Sequence, residues 1–357
     1  MFKYLFFIIF VIALHACKNN SIKIENKETE TPLSTFAYKL EIELVKEKFS
    51  HGETVSGFVK IVDSSLQMPF LKIFVNDSFL LSNKAYSFDF QIKTNLLGTG
   101  KQKIYAQAYS DLNVLLGKAE IGFILFSDLK PKQYIASILK TYPHDIDAYT
   151  QGLEFFNGFL YEGTGQNGKS SVRKTNFMTA EILQNANIDK QYFGEGITIL
   201  NNKIYQLTWE SNVGFVYDLT TLKKTNEFSY PTEGWGLTND GQNLWMSDGT
   251  ENIYVLDPVY FNQIKKIEVY NEDKPVQFLN ELEWINGKIF ANIYYSKKIA
   301  IIDPLTGKVE AFVDASGLEI KIKETSNRDV LNGIAFNKET NSLFLTGKRW
   351  PSLFEVE

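Results

Sequence analysis

From Phe36 to about Asp128, apolar and polar residues alternate with a period of two. Successive side chains of a strand point to opposite faces, so this alternation predicts half-buried strands. The runs Phe36–Val45, Val55–Val62, Phe70–Val75, Tyr86–Ile92, Lys103–Tyr109 and Ala119–Phe126 all carry it, and Lys103-Ile104-Tyr105-Ala106-Gln107-Ala108 shows it most clearly. Turn signals such as Ser50-His51-Gly52 and Leu97-Gly98-Thr99-Gly100 separate the runs. About 95 residues of short strands with no helix predict a small immunoglobulin-like β-sandwich over residues 35–128. No chemistry is legible in it, and a spacer or docking role is the expectation.

After a linker at Asp128–Lys132 the pattern becomes an internal repeat. Five segments start alike: Gln151-Gly152-Leu153, Glu195-Gly196-Ile197, Trp235-Gly236-Leu237, Asn280-Glu281-Leu282 and Asn332-Gly333-Ile334. In the first four, a second strand follows at a fixed offset, at Leu160-Tyr161, Ile204-Tyr205, Leu244-Trp245 and Ile289-Phe290. Third strands follow at Val172–Thr175, Phe215–Asp218, Tyr254–Asp257, Ala300–Asp303 and Leu353–Val356, and turns such as Asp303-Pro304-Leu305-Thr306-Gly307 lead to a fourth. The fifth unit ends at Glu357 without a fourth strand. Gln133–Tyr142, whose ending Tyr142-Pro143-His144-Asp145 matches the other fourth-strand endings, is expected to supply it. The chain is thus expected to be all-β, with a five-bladed β-propeller over residues 133–357 closed by its own first strand.

The N-terminus departs from this pattern. Lys3 precedes an apolar run, Tyr4 to Leu14, that is too short to span a bilayer. Leu14-His15-Ala16-Cys17 then resembles a bacterial lipoprotein box. The expectation is a signal peptide over residues 1–16, lipid on Cys17, and a polar tether over 17–34 leading to the first module. Lipid on Cys17 places the protein in a bacterial cell envelope, on the periplasmic or outer-membrane side, with the membrane as a partner. A plain signal peptide with a chance cysteine is the alternative.

Charge and composition remove other classes. A net charge of -5 over 357 residues offers no basic stripe, so nucleic acid is not an expected partner. One cysteine and three histidines assemble neither a disulfide framework nor a Cys/His metal cluster, so no metal or other cofactor is expected.

In a propeller the first strand of each blade lines the central channel. The aligned residues Gln151, Glu195, Trp235, Asn280 and Asn332 are therefore expected to ring one mouth. Channel amides that merely bond to one another and to water would explain a ring of this kind. Glu195 argues for more, as its only acid, with Phe193, Trp209 and Trp235 expected around it. A desolvated carboxyl has a raised pKa, suited to shuttling a proton near neutrality. Lys348 is positioned to stabilise such an anion or a developing oxyanion.

These segments closely resemble the plant-type and bacterial glutaminyl cyclases. The resemblance rests on Tyr149-Thr150-Gln151-Gly152-Leu153, Tyr161-Glu162-Gly163-Thr164-Gly165, Phe193-Gly194-Glu195-Gly196-Ile197-Thr198 and Glu233-Gly234-Trp235-Gly236-Leu237. It continues through Leu279-Asn280-Glu281-Leu282-Glu283, Asp329-Val330-Leu331-Asn332-Gly333-Ile334-Ala335 and Thr346-Gly347-Lys348-Arg349-Trp350-Pro351. It implies a metal-independent enzyme that cyclises N-terminal glutamine of peptides or proteins to pyroglutamate and releases ammonia. On that reading Glu195, Asn280 and Lys348 are catalytic, and Gln151, Phe193, Trp209, Trp235 and Tyr294 bind substrate. Ile293-Tyr294-Tyr295 stands where the family usually carries tryptophan. His144-Asp145 reads as a structural tie, Ser247-Asp248-Gly249 as a turn and Arg173 as a buried partner. Two other classes remain at this stage. One is a metal-dependent, lactonase-like hydrolase with Glu195, Asn280 and Asn332 as ligands; the other is a non-catalytic binding propeller of the cell envelope.

Overall fold

The structure, a computed structural model, describes residues 37–62, 67–322 and 328–357. The expected leader, Cys17 and the tether lie outside the described residues. What is described is an all-β chain with one short helix, Ser316–Lys321, and one 3-10 turn, Thr94–Leu96.

In the first module, Leu40–Leu44, Thr54–Ile61 and Ser87–Lys93 form a three-stranded sheet. A five-stranded sheet runs in the order Lys48–Ser50, Leu115–Phe126, Gly100–Tyr109, Phe70–Val75, Ser78–Lys84. Alternate residues of both, among them Val55, Val59, Ile73, Ile104 and Ala106, bury one shared core. Period-two alternation therefore located most of these strands. It missed Lys48–Ser50, which is too short to show a period, and Ser78–Lys84, which lies at a sheet edge, is largely exposed and so carries no buried face to mark it.

The rest of the described chain forms five sheets in sequence order. Their first strands are Thr150–Phe156, Gly194–Leu200, Leu237–Asn239, Leu279–Ile285 and Leu331–Asn337, and each is followed outward by antiparallel partners. Neighbouring first strands touch in an unbroken cycle, the last against the first. The approach is very close. A Cβ on Gly152 would lie 2.3 Å from the Ile197 nitrogen, and one on Gly236 would lie 1.9 Å from the Asn280 carbonyl oxygen. Glycine at the second repeat position is thus a steric requirement of the ring.

The fourth sheet breaks the rule with Glu281. Its carboxylate accepts Leu153 N–H (3.2 Å) from the first sheet and Ile334 N–H (2.9 Å) from the fifth. Glu154 accepts Ile199 N–H (2.8 Å) and Glu283 accepts Phe336 N–H (3.0 Å) in the same way. Among the described residues scattered backbone bonds, such as Gly196 N–H to Trp235 O (2.8 Å) and Val309 N–H to Tyr270 O (3.1 Å), join neighbouring sheets, and buried carboxylates add further lateral bonds. Burial, the largest influence, pushes the carboxyls of Glu281 and Glu283 well above the usual range and Glu154 to about 7. These acids are in sequence motifs, but their lacing role was not legible there.

Ring closure differs in one respect from expectation. Gln133–Tyr142 reads as one strand, whereas the structure has two. Lys132–Ile135 lies parallel to Val309–Asp314 at the edge of the fourth sheet, and Ile138–Pro143 pairs antiparallel with Ser352–Val356 in the fifth. Between them, Ala136 N–H bonds to Asp314 O (2.9 Å) and Ser137 N–H to Glu357 O (2.9 Å). A single straight strand cannot pair with two sheets that splay apart, so the break lets one segment cover both edges.

Immediately after Pro143 a charged network fastens this strap. His144 contacts Trp350 O through Nδ1 (2.8 Å) and Glu162 Oε1 through Nε2 (3.2 Å). Arg173 donates to Glu162 Oε2 through Nε and Nη2 (2.9 and 2.7 Å) and to Asp145 Oδ2 through Nη1 (2.8 Å). Burial alone would raise the Glu162 carboxyl; Arg173 and then His144 outweigh it and hold it far below the usual range. The tie spans the strap, the first sheet and the fifth.

The first module docks on the outer edges of the third and fourth sheets. Thr99 N–H bonds to Thr306 O (2.7 Å), Thr99 Oγ1 to Glu268 O (2.6 Å), and Lys308 pairs with Asp128 (2.7 Å).

Removing one partner of a buried ion pair leaves the others charged and uncompensated. Glu162→Ala is therefore expected to destabilise the protein by about 3–5 kcal/mol, read by urea unfolding. Unchanged stability would show that the network is not what fastens the strap.

Candidate active site

Four of the five first strands are irregular where they reach the mouth of the ring. Antiparallel pairing slips between Thr150 and Gly152, between Gly194 and Ile197, between Leu279 and Leu282, and between Leu331 and Ile334. In the third sheet, Trp235-Gly236 lies just ahead of its strand. Bulges of this kind re-aim a side chain out of the regular ladder. The residues skipped include Gln151, Glu195, Asn280 and Asn332, the members of the sequence ring.

Four of the five ring residues meet in a cavity of about 170 Å³. Its buried floor comprises Gln151, Glu195, Asn280 and Lys348, and its half-buried or exposed walls are Phe193, Trp209, Trp235 and Tyr294. All eight side chains expected to carry catalysis or substrate binding are therefore together. Tyr149 completes the wall. Asn332 does not line the cavity; it donates to Thr150 O (2.9 Å) and more weakly to Gln151 Oε1 (3.3 Å), backing the floor.

Glu195 Oε1 accepts a hydrogen bond from Gln151 Nε2 at 2.7 Å, and its second oxygen is taken by no protein donor among the described residues. Burial pushes this carboxyl well above the usual range; Lys348 opposes the shift and Glu233 reinforces it. Lys348 moves the other way. Burial lowers its ammonium pKa, against the pull of Glu195 and Asp329. Burial thus shifts the carboxyl upward and the ammonium downward, bringing their proton affinities closer together than in water. The Lys348 Nζ lies 4.8 Å from the ring centre of Tyr149 and 4.9 Å from that of Tyr294, which favours its cationic form locally.

Asn280, like Asn332 behind the floor, holds a buried Oδ1 with no protein partner among the described residues. An unpaired buried acceptor costs roughly 1–3 kcal/mol, so its natural complement is a donor brought in by a ligand.

The walls are held by residues outside the expected set. Glu233 Oε2 accepts both indole N–H groups, from Trp209 at 2.7 Å and from Trp235 at 2.9 Å. Trp235 packs edge-on to Tyr294 with centroids 5.5 Å apart, and Phe193 does so to Trp209 at 5.7 Å. Tyr149 donates to Asp329 Oδ2 (3.0 Å), whose backbone N–H bonds to Lys348 O (2.9 Å). Ser247-Asp248-Gly249 is more than the turn it reads as. Ser247 Oγ accepts Gly236 N–H (2.8 Å) and donates to Asn280 O (2.7 Å), tying two ring positions together. Gly249 has φ +81°, and a Cβ there would lie 2.6 Å from the Trp235 ring. The position of Glu233, two residues ahead of a ring tryptophan, was the one available clue.

A second cavity, of about 220 Å³, borders Glu154 and Glu283 further along the same strands and belongs to the lacing described above. Among the described residues no group of three or more His, Cys, Asp or Glu side chains is arranged to hold a metal ion.

Comparison with known proteins identifies the family. The family model described as glutamine cyclotransferase matches residues 111–357. Its match starts inside the last stretch of the first module, ahead of the linker. Glutaminyl-peptide cyclotransferase of Arabidopsis thaliana is 40% identical over 234 residues, covering 64% of this chain and 73% of the relative. The crystal structure of Myxococcus xanthus glutaminyl cyclase is 34% identical with a TM-score of 0.61, covering 64% of this chain and 98% of the other. The chain belongs to the glutamine cyclotransferase family.

Proposed function

We propose that this protein converts the N-terminal glutamine of peptides or proteins to pyroglutamate, and that the 170 Å³ cavity is where it does so. The observation that carries the reading is the desolvated Glu195 facing Lys348 and the unpaired Asn280 acceptor within aromatic walls. The family supplies the reaction, and the residues can be assigned steps in it.

The α-amine has a pKa of roughly 7.7–8.0, so a useful fraction is neutral and nucleophilic near neutral pH. Its nitrogen attacks the side-chain carboxamide carbon, forming the ring C–N bond and a tetrahedral oxyanion. Lys348 stabilises that oxyanion. Asn280 Oδ1 accepts an N–H of the carboxamide. Glu195 takes the proton released by the attacking amine and returns it to the departing nitrogen. The original C–N bond then breaks, and ammonia leaves. Gln151 holds Glu195 and the substrate backbone, while Phe193, Trp209, Trp235 and Tyr294 fold the flexible side chain toward its own amine. Glu233 is a positioning residue that acts through the two indoles.

The five sheets read as the blades of a five-bladed propeller over residues 133–357, and the first module as an immunoglobulin-like sandwich over 35–128. Support comes from the closed cycle of first strands and from the two sheets around one core. Leu14-His15-Ala16-Cys17 supports lipid on Cys17 and residence in the cell envelope. Metabolic labelling with a radioactive fatty acid tests this: label is expected in the wild-type chain and absent from Cys17→Ser. Equal labelling of both would end the proposal.

Ammonia release from a Gln-initiated peptide tests the site. Glu195→Gln is expected to lower kcat about 10²–10⁴-fold with the unfolding midpoint unchanged. Glu233→Ala is expected to raise KM, and Glu233→Gln, which keeps an acceptor, to restore it. Full activity in Glu195→Gln would remove that residue from the mechanism. Activity lost in a chelator would favour metal-assisted hydrolysis instead.

A further inference from the structure

The reaction cavity, at about 170 Å³, has room for little more than the glutamine itself, so the rest of a peptide must leave it. Directly beside it is a larger polar cavity of about 500 Å³. The partition between them is thin. Tyr149 lines the reaction cavity, and the Arg349 guanidinium, which lines the larger one, sits 5.4 Å from its ring centre. Gly165 donates its N–H to Tyr149 O (2.8 Å), and a Cβ on Gly165 would lie 2.4 Å from the Phe193 ring and 3.0 Å from Gln151 Cγ. Its two neighbours, Thr164 and Gln166, both line the larger cavity. One extended residue advances the chain by about 3.3–3.6 Å, so the second and third residues of a substrate reach across this partition.

The charge of the larger cavity is unbalanced. Arg173 is already paired with Glu162 and Asp145. Arg349 donates through Nη2 to the neutral amide oxygen of Gln166 at 2.8 Å, and neither it nor Lys169 has a carboxylate within 4.0 Å among the described residues. Against these two cations the lining holds one acid, the exposed Asp147.

We propose that this cavity is a subsite for the residues that follow the N-terminal glutamine, and that Arg349 and Lys169 select peptides with a carboxylate at the second or third position. The proposal rests on the cyclase reading and names its preferred substrates: acidic N-terminal sequences. An Asp or Glu side chain is the preferred source of the carboxylate, and the free C-terminus of a short peptide offers the same group.

The test compares initial rates of ammonia release for amidated Gln-Ala-Ala, Gln-Glu-Ala and Gln-Ala-Glu, together with Gln-Ala carrying a free or an amidated C-terminus. A hydrogen bond to a charged group is worth enough to predict about a tenfold lower KM for the acidic peptides, with kcat little changed. A preference confined to the free C-terminus of Gln-Ala would overturn selection by side chains. The preference should fall toward one in Lys169→Gln and in Arg349→Gln. In the wild-type protein it should also fade at about 0.5 M salt, which keeps the test decisive if the arginine variant does not fold. Equal KM for neutral and acidic peptides, or a preference indifferent to salt and to Lys169→Gln, would overturn the subsite. Absence of ammonia from every peptide would instead overturn the cyclase reading on which it stands.

Discussion

Everything at the mouth of this ring depends on how closely five strands pack around one axis. Where a Cβ on Gly236 would sit 1.9 Å from a neighbouring carbonyl oxygen, no side chain can enter, and the strands close on one another. That contact packs the strands tightly behind the residues at the mouth. Glu195, Asn280 and Gln151 are buried from below, and the aromatic walls cover them from the side. Desolvation follows from packing, and the raised carboxyl of Glu195 follows from desolvation.

The same packing creates a second demand that the rest of the protein meets. Neighbouring sheets around the axis share only scattered backbone bonds among the described residues, such as Gly196 N–H to Trp235 O, so side chains must help to hold them together. Glu154, Glu281 and Glu283 lace neighbouring strands through backbone N–H groups, and the His144–Glu162–Arg173–Asp145 network fastens the strap that joins the two ends. Buried carboxylates thus serve two purposes in one ring. Those that accept backbone N–H groups hold it together. Glu195, whose one donor among the described residues is the Gln151 amide, leaves an oxygen free of protein partners there.

The repeat was legible because it is written in residue types that geometry demands. A polar residue, then glycine, then an apolar residue marks a bulged strand entering a crowded axis, and this pattern located the sheets and the ring of side chains. The aromatic walls were legible from their motifs. Residues acting through others left weaker traces. Glu233 is exposed and resembles any surface acid, and its two indole bonds depend on strands far apart in sequence. Glu281 stood out only as the non-glycine in its column. The break at Ala136-Ser137 was hidden because one strand or two strands of the same length carry the same alternation. The polar cavity under Arg349 draws on separate loops and has no sequence period.

Infrared titration of the protonated-carboxyl band, with the spectrum of Glu195→Gln subtracted, tests most directly whether packing sets the chemistry. The account predicts that the Glu195 carboxyl is still largely protonated above 4.5, the ordinary value for glutamate, and loses its proton only well above that value. A midpoint at or below the ordinary value would contradict it, because Glu195 would then be a solvated carboxylate with no special affinity for the proton it is meant to carry.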